Sequence, residues 1–180
     1  MERMKEECYG KNEELLERML PGRFSDEEKK TMSMEKETAY QKVFRPQLKL
    51  IKGLNKLMER ARSTGIKMAI GSAAIMYNID FVLDGLNIRN YIDAIVSADN
   101  VTMSKPDPET YLKCAEQLGK DPKECIVFED SPKGVEAAAN AGMQCVVITT
   151  MHTKEEFKQY QNIICIVNDY TDTQLEPLFS

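Results

Sequence analysis

Hydrophobic and polar positions change their period once along the chain. Up to residue 66, apolar residues recur only at helical spacing and no run reads as a strand. One helix is expected from about Asn12 to Leu20, closed by Pro21-Gly22, and a second from Ser25 to about Phe44. Ser25 followed by Glu28 makes a capping box, in which the serine oxygen accepts from an early backbone N–H and the glutamate reaches back to the cap. Arg45-Pro46 ends the second helix, because the residue before proline is pushed out of the helical region. This N-terminal third reads as an antiparallel helical pair.

Beyond Gly53 short apolar runs alternate with amphipathic stretches. The pattern predicts helix 53–64, strand 67–71, helix 75–86, strand 94–97, helix 107–118, strand 125–129, helix 131–141, strand 144–148, helix 153–160, strand 163–167 and a short helix near 172–178. Strict alternation of strand and helix means parallel strands joined by crossover helices, an α/β fold of Rossmann-like, three-layer type. Asp107-Pro108 and Ser131-Pro132 each read as an N-cap followed by proline in the first turn, which places the start of two helices. The chain thus divides into a helical appendage, residues 1–50, and an α/β core, residues 51–180.

Length and composition narrow the function. At 180 residues there is room for one core and a small appendage, and 42% hydrophobic with 29% charged residues is an ordinary globular composition. The balance of 24 basic against 29 acidic residues offers no field for a nucleic-acid backbone, so no nucleic-acid partner is expected. No apolar run approaches the roughly 18 residues that span a bilayer, and the charged opening MERMKEECYGKNEE is unlike a secretion signal, so a cytoplasmic protein with no membrane partner is expected. The five cysteines, Cys8, Cys114, Cys125, Cys145 and Cys165, form no C-x-x-C pair and lie mostly in apolar runs, as buried thiols do. The one histidine, His152, has no second histidine nearby and is assigned no role.

In open α/β sheets ligands bind beyond the carboxyl ends of the strands. Four features fall there: Ser72, the turn Ser104-Lys105-Pro106, and the adjacent acids Glu129 and Asp130. Two carboxylates at a strand end suit a hard cation that wants oxygen ligands, and acids ahead of a helix also complement its dipole. Lys105 is placed to neutralise a phosphoryl group or to be a solvated surface lysine. The Ser72 hydroxyl and the N–H groups after it suit phosphate oxygens, or a simple helix cap.

Taken in order, these segments resemble the haloacid dehalogenase superfamily. Its second motif matches MAIGS at Ser72, its third SKPDPETY at Lys105, and its fourth, the most specific, VFEDSPKGVEAAANAGM at Glu129 and Asp130. The resemblance runs from Tyr9 to about Thr150, and YGKNEELL, SDEEKKTMSMEKETAY and YNIDFVLDGLNIRNYIDAIVSADNV look most like the beta-phosphoglucomutase and sugar-phosphatase branch with a helical cap. It implies a Mg2+-dependent phosphatase or phosphomutase of small phosphorylated sugars, in which a phosphoryl group passes to an aspartate. By that resemblance Glu129 and Asp130 are metal ligands, Ser72 and Ala73 bind phosphate, and Lys105 steadies the charge. The cap residues Lys11, Asn12 and Lys36 become candidates for gripping the sugar or a distal phosphate.

The family opens with a strand bearing D-x-D-G-T, and none of the ten aspartates here forms a D-x-D. Neither the nucleophile nor the acid/base aspartate is present, so no turnover is expected of these residues alone. In the family that strand lies mid-sheet, between the strand ending at Ser72 and the one ending at Glu129. Without it two rows of backbone groups need partners. Three expectations follow: the flanking strands pair directly, a segment of another copy enters by self-association, or the native product is longer and MERMKEE is an internal start. The competing expectation is a catalytically dead remnant that binds a phosphorylated ligand or a protein partner.

Overall fold

The computed structural model describes residues 12–179. Lys11 and Cys8 lie outside them, and Asn12 is described in its backbone alone. Two helices come first, α1 (Asn12–Met19) and α2 (Asp26–Phe44), packed together and tied by a 2.5 Å ion pair from Lys29 to Glu17. The Ser25 capping box forms in both directions, with Glu28 N 3.3 Å from Ser25 Oγ and Ser25 N 2.8 Å from Glu28 Oε2. A polar seam then fastens α2 to the core. The Gln41 side chain donates to Tyr77 O (3.1 Å) and Asn78 Oδ1 (3.0 Å), and Asn78 donates to the buried carboxylate of Glu37.

The core alternates as the sequence predicts: α3 (Leu54–Ser63), β1 (Ala69–Gly71), α4 (Met76–Gly85), β2 (Ala94–Val96), α5 (Glu109–Leu118), β3 (Ile126–Glu129), α6 (Pro132–Asn140), β4 (Gln144–Ile148) and β5 (Ile163–Val167). All the pairings are parallel. Ser131 caps α6 as expected, its Oγ accepting from Gly134 N at 3.1 Å with Pro132 in the first turn. Helix α5 starts one residue later than Asp107-Pro108 suggests: the Asp107 carboxylate accepts from Glu109 N at 2.9 Å, and Pro108 is the last residue before the helix. The expected helices 153–160 and 172–178 are instead 3-10 segments, Lys154–Phe157 and Thr173–Phe179. Each has a single buried apolar residue, Phe157 or Leu175, where an α-helix needs an apolar stripe, and Pro177 interrupts the second.

The strands form two sheets, β1-β2 and β3-β4-β5, and β1 does not pair with β3. The expectation that the flanking strands close on each other is therefore wrong. Two helices hold the halves together instead. On one face α5 sends Cys114 to Val96 and Ala69, and Tyr111 and Ala115 to Val127, Cys145 and Val147. On the other, α3 sends Leu54 and Met58 to Ile70 and Ile95, and Leu57 to Phe128, Val146 and Val167. Alternate strand residues serve opposite faces, as period two requires. The slot between β1 and β3 lies between these helices, and its walls are less covered than the rest: β1 is half-buried throughout and Ile126 opens β3 at 39% exposure, whereas Val146 and Val147 of β4 are fully buried.

The entry to α3 is set by a close backbone approach. Gly53 has φ 86°, and a Cβ there would meet the carbonyl carbon of Tyr170 at 2.6 Å, beside a bond from Tyr170 N to Lys52 O of 3.0 Å. Gly53→Ala combines a left-handed strain with a clash against backbone that cannot rotate away. It is expected to lower unfolding free energy by about 2 kcal/mol or more, read from urea denaturation. A loss below about 0.5 kcal/mol, the usual range of a neutral surface change, would show that the 53–170 contact is not fixed.

Candidate active site

Two of the predicted residues, Lys105 and Glu129, meet at the carboxyl end of β3, and Lys105 also reaches the end of β1. The Lys105 ammonium, on the turn before α5, is 2.5 Å from Glu129 Oε1 and 3.3 Å from the carbonyl of Gly71, next to Ser72. It therefore bridges the mouth of the slot. The turn that carries it is held by Glu109, whose Oε2 accepts from Thr102 N, Thr102 Oγ1 and Met103 N at 2.8–2.9 Å. Lys113 and these donors hold the Glu109 carboxyl down at about 2. The Lys105-Pro106 peptide is cis.

Glu129 is enclosed by donors. Its Oε1 accepts from Lys105 and from the Tyr111 hydroxyl at 2.6 Å, and its Oε2 from Asp130 N, Ser131 N and Ser131 Oγ at 3.0–3.1 Å. The side chains of the Lys105–Glu129 pair are 13% and 9% exposed. Burial raises the Glu129 carboxyl, but the Lys105 charge, the bonds from Lys105 and Tyr111 and the Ser131 backbone outweigh it and hold the group below its ordinary range. Burial first, and then the Glu129 charge, push the Tyr111 phenol far up, so it stays a protonated donor. Burial also drives Cys114 to about 11 and Cys145 to about 12, which leaves both as thiols. Of the four described cysteines these two are buried and Cys125 and Cys165 half-buried.

Asp130 points elsewhere. Its Oδ2 accepts from Thr150 Oγ1, at the end of β4, at 2.6 Å, and its other oxygen takes no hydrogen bond among the described residues. Ser72 donates its backbone N–H to Val96 O (2.9 Å), and its Oγ accepts from Ala74 N (3.0 Å), so the hydroxyl organises the turn that contains Ala73. Lys36 lies on α2 with its ammonium 3.2 Å from Glu37, and the hydrogen bonds of Ser72, Lys105 and Glu129 do not include it.

As a magnesium site these residues are incomplete. Among the described residues no three His, Cys, Asp or Glu side chains come together as a metal would need. Both Glu129 oxygens are engaged by protein donors, and Asp130 offers a single free oxygen, where a hard cation takes six or more oxygen ligands.

The sequence reading passed over Tyr111, Thr150 and Gly134. The first two look like ordinary α5 and strand-end residues. Gly134 carries a signal, since glycine in the first turn of a helix weakens it and so marks a close approach. A Cβ there would lie 1.9 Å from the Glu129 carboxyl carbon. Gly134→Ala is expected to drive Glu129 off Lys105 and to reduce stability by about 3 kcal/mol, the range for breaking a buried ion pair. Wild-type stability in urea would contradict the enclosed position of Glu129.

Comparison with known proteins bears on the family and the fold. The model of the haloacid dehalogenase-like hydrolases matches residues 3–148. Fructose-1-phosphate phosphatase YqaB of Escherichia coli is 43% identical over 79 residues, 44% of this chain and 42% of that protein. Among solved structures, a family IA, variant 3 hydrolase from Entamoeba histolytica superposes with a TM-score of 0.84 at 26% identity, over 99% of this chain and 81% of that one. Beta-phosphoglucomutase from Clostridium difficile gives 0.80 at 28% identity, over 98% and 78%. The chain spans less than half the length of the curated relatives it matches first. With the motif residues gathered at one end of a parallel α/β core and a family match over most of its length, the chain belongs to the haloacid dehalogenase-like hydrolases.

Proposed function

We propose that this chain is the phosphate-binding and charge-stabilising part of a Mg2+-dependent phosphatase or phosphomutase of small phosphorylated sugars. The observation that carries the reading is that β1 and β3 do not pair, with Lys105 reaching between the Gly71 carbonyl, next to Ser72, and Glu129 at the ends of the two strands. A strand carrying a D-x-D between β1 and β3 would bring its carboxylates towards Lys105. In this reading Ser72 and Ala73 orient phosphate oxygens and Lys105 offsets the charge of the phosphoryl group. Asp130 would hold the cation through its free oxygen, and Glu129 could join it only by giving up a protein donor. Magnesium, once held, supplies charge neutralisation at the phosphoryl oxygens. Lys11, Asn12 and Lys36 on the helical appendage face the task of holding the sugar.

Fructose 1-phosphate, the substrate in the name of one relative, is a fitting first compound to test. The reading places the protein in the cytoplasm; among the described residues no helix is long and apolar enough to cross a membrane. Two copies associating through their slots would satisfy the open edges but bring no D-x-D, so self-association alone restores no chemistry.

The 180 residues alone are expected to show no turnover of fructose 1-phosphate or p-nitrophenyl phosphate in millimolar Mg2+, because removing the attacking group leaves only weak catalysis from binding and electrostatics. A magnesium-dependent rate abolished by Asp130→Asn would refute that assignment. Inorganic phosphate is expected to bind in calorimetry, and Lys105→Met to weaken it about tenfold or more, the scale of one charge-assisted hydrogen bond. Equal binding by wild type and Lys105→Met would favour the remnant that serves a protein partner.

A further inference from the structure

The Lys105 ammonium has three N–H groups, and each has an acceptor: Glu129 Oε1 at 2.5 Å, Tyr111 Oη at 2.7 Å and Gly71 O at 3.3 Å. The first two contacts form a closed triangle, because the Tyr111 hydroxyl itself donates to Glu129 Oε1 at 2.6 Å. The ammonium also lies 4.5 Å from the Tyr111 ring centroid, within the range of a cation–π attraction. The third contact is the longest, and it reaches across to the other sheet.

Its acceptor has a second claimant. Met68 O accepts from Asp93 N, and Ser72 N donates to Val96 O, so the even-numbered residues of this stretch turn their backbone groups towards β2. By alternation Ala69 and Gly71 turn theirs towards the slot. The Gly71 carbonyl that Lys105 holds is therefore one that a strand in the slot would take for its own ladder.

We propose that Tyr111 is the positioning residue for Lys105. Together with Glu129 it fixes two of the ammonium N–H groups from inside the core, so that the third, resting on Gly71, is the one released to a ligand or strand that fills the slot. Glycine, lysine and glutamate alone would leave the ammonium one internal anchor, free to follow Glu129. With Tyr111 it has two, and its remaining N–H can aim only at the slot. The proposal rests on the reading of Lys105 as the charge stabiliser and says what aims it.

Amine acetylation with an N-hydroxysuccinimide ester, followed peptide by peptide in a mass spectrometer, tests this on the whole chain without metal or turnover. Lys105 is expected to react about tenfold more slowly than the exposed Lys120 and Lys123, as loss of charged hydrogen bonds opposes reaction. Tyr111→Phe, which keeps the ring and removes the hydroxyl, is expected to close most of that gap. Cys114→Ala, which loosens the same helix without touching the ammonium, is expected to leave it. An unchanged ratio in Tyr111→Phe, or an equal rise in Cys114→Ala, would overturn the proposal. In the wild type the Tyr111 hydroxyl proton is expected as a slowly exchanging NMR resonance with cross-peaks to the Lys105 side chain; its absence would count equally against the role. None of these results depends on phosphate binding, so failure here leaves the phosphatase reading standing, and failure of phosphate to bind leaves Tyr111 in place.

Discussion

Lys105 and Glu129 sit where two sheets meet without sharing a hydrogen-bond ladder. β1 pairs only with β2 and β3 only with β4, so the halves are joined by packing through α3 and α5 and by the Lys105 contacts at the strand ends. Burying an isolated pair of charges is unfavourable unless the remaining donors and acceptors are satisfied. Here they are. Tyr111, Ser131 and two backbone N–H groups complete Glu129, while Tyr111 and Gly71 complete Lys105. A network saturated in this way specifies one arrangement, because each member loses a partner if any other moves. The same arrangement fixes the position of β1 relative to β3, and with it the width of the slot.

The ion pair also divides the labour between two adjacent acids. Glu129 ends the strand and turns inward to the ammonium and to the first turn of α6, in the space that Gly134 leaves. Asp130, one residue on, faces the other way, fixed through Thr150 at the end of β4. Period-two geometry makes such a split natural at a strand end, since neighbouring side chains there point to opposite sides. One carboxylate then serves the fold and the positive charge, while the other is left with an oxygen for an incoming ligand.

Much of this was legible in the chain itself. The alternation after Gly53, the Ser25 capping box and the Ser131-Pro132 start are local signals that the fold keeps. The slot followed from matching the motifs at Ser72, Lys105 and Glu129 and noting that none of the aspartates forms a D-x-D. Less was legible where tertiary contact decides. Residues 153–160 have the composition of a helix, but only Phe157 is buried there, so one 3-10 turn suffices. Tyr111 reads as a core aromatic of α5. Its hydroxyl acquires a role only when β3 brings Glu129 within 2.6 Å, a meeting of residues 18 positions apart that no local pattern encodes.

Hydrogen exchange resolved to single amides along β1 tests the central claim most directly. An open slot bridged at its mouth by Lys105 predicts protection at Ile70 and Ser72, whose amides pair with β2, and fast exchange at Ala69 and Gly71, whose amides face the gap. Uniform protection across these four residues would mean that β1 is paired on both sides, and the account of two sheets joined by helix packing and the Lys105 bridge, with no shared ladder, would be wrong.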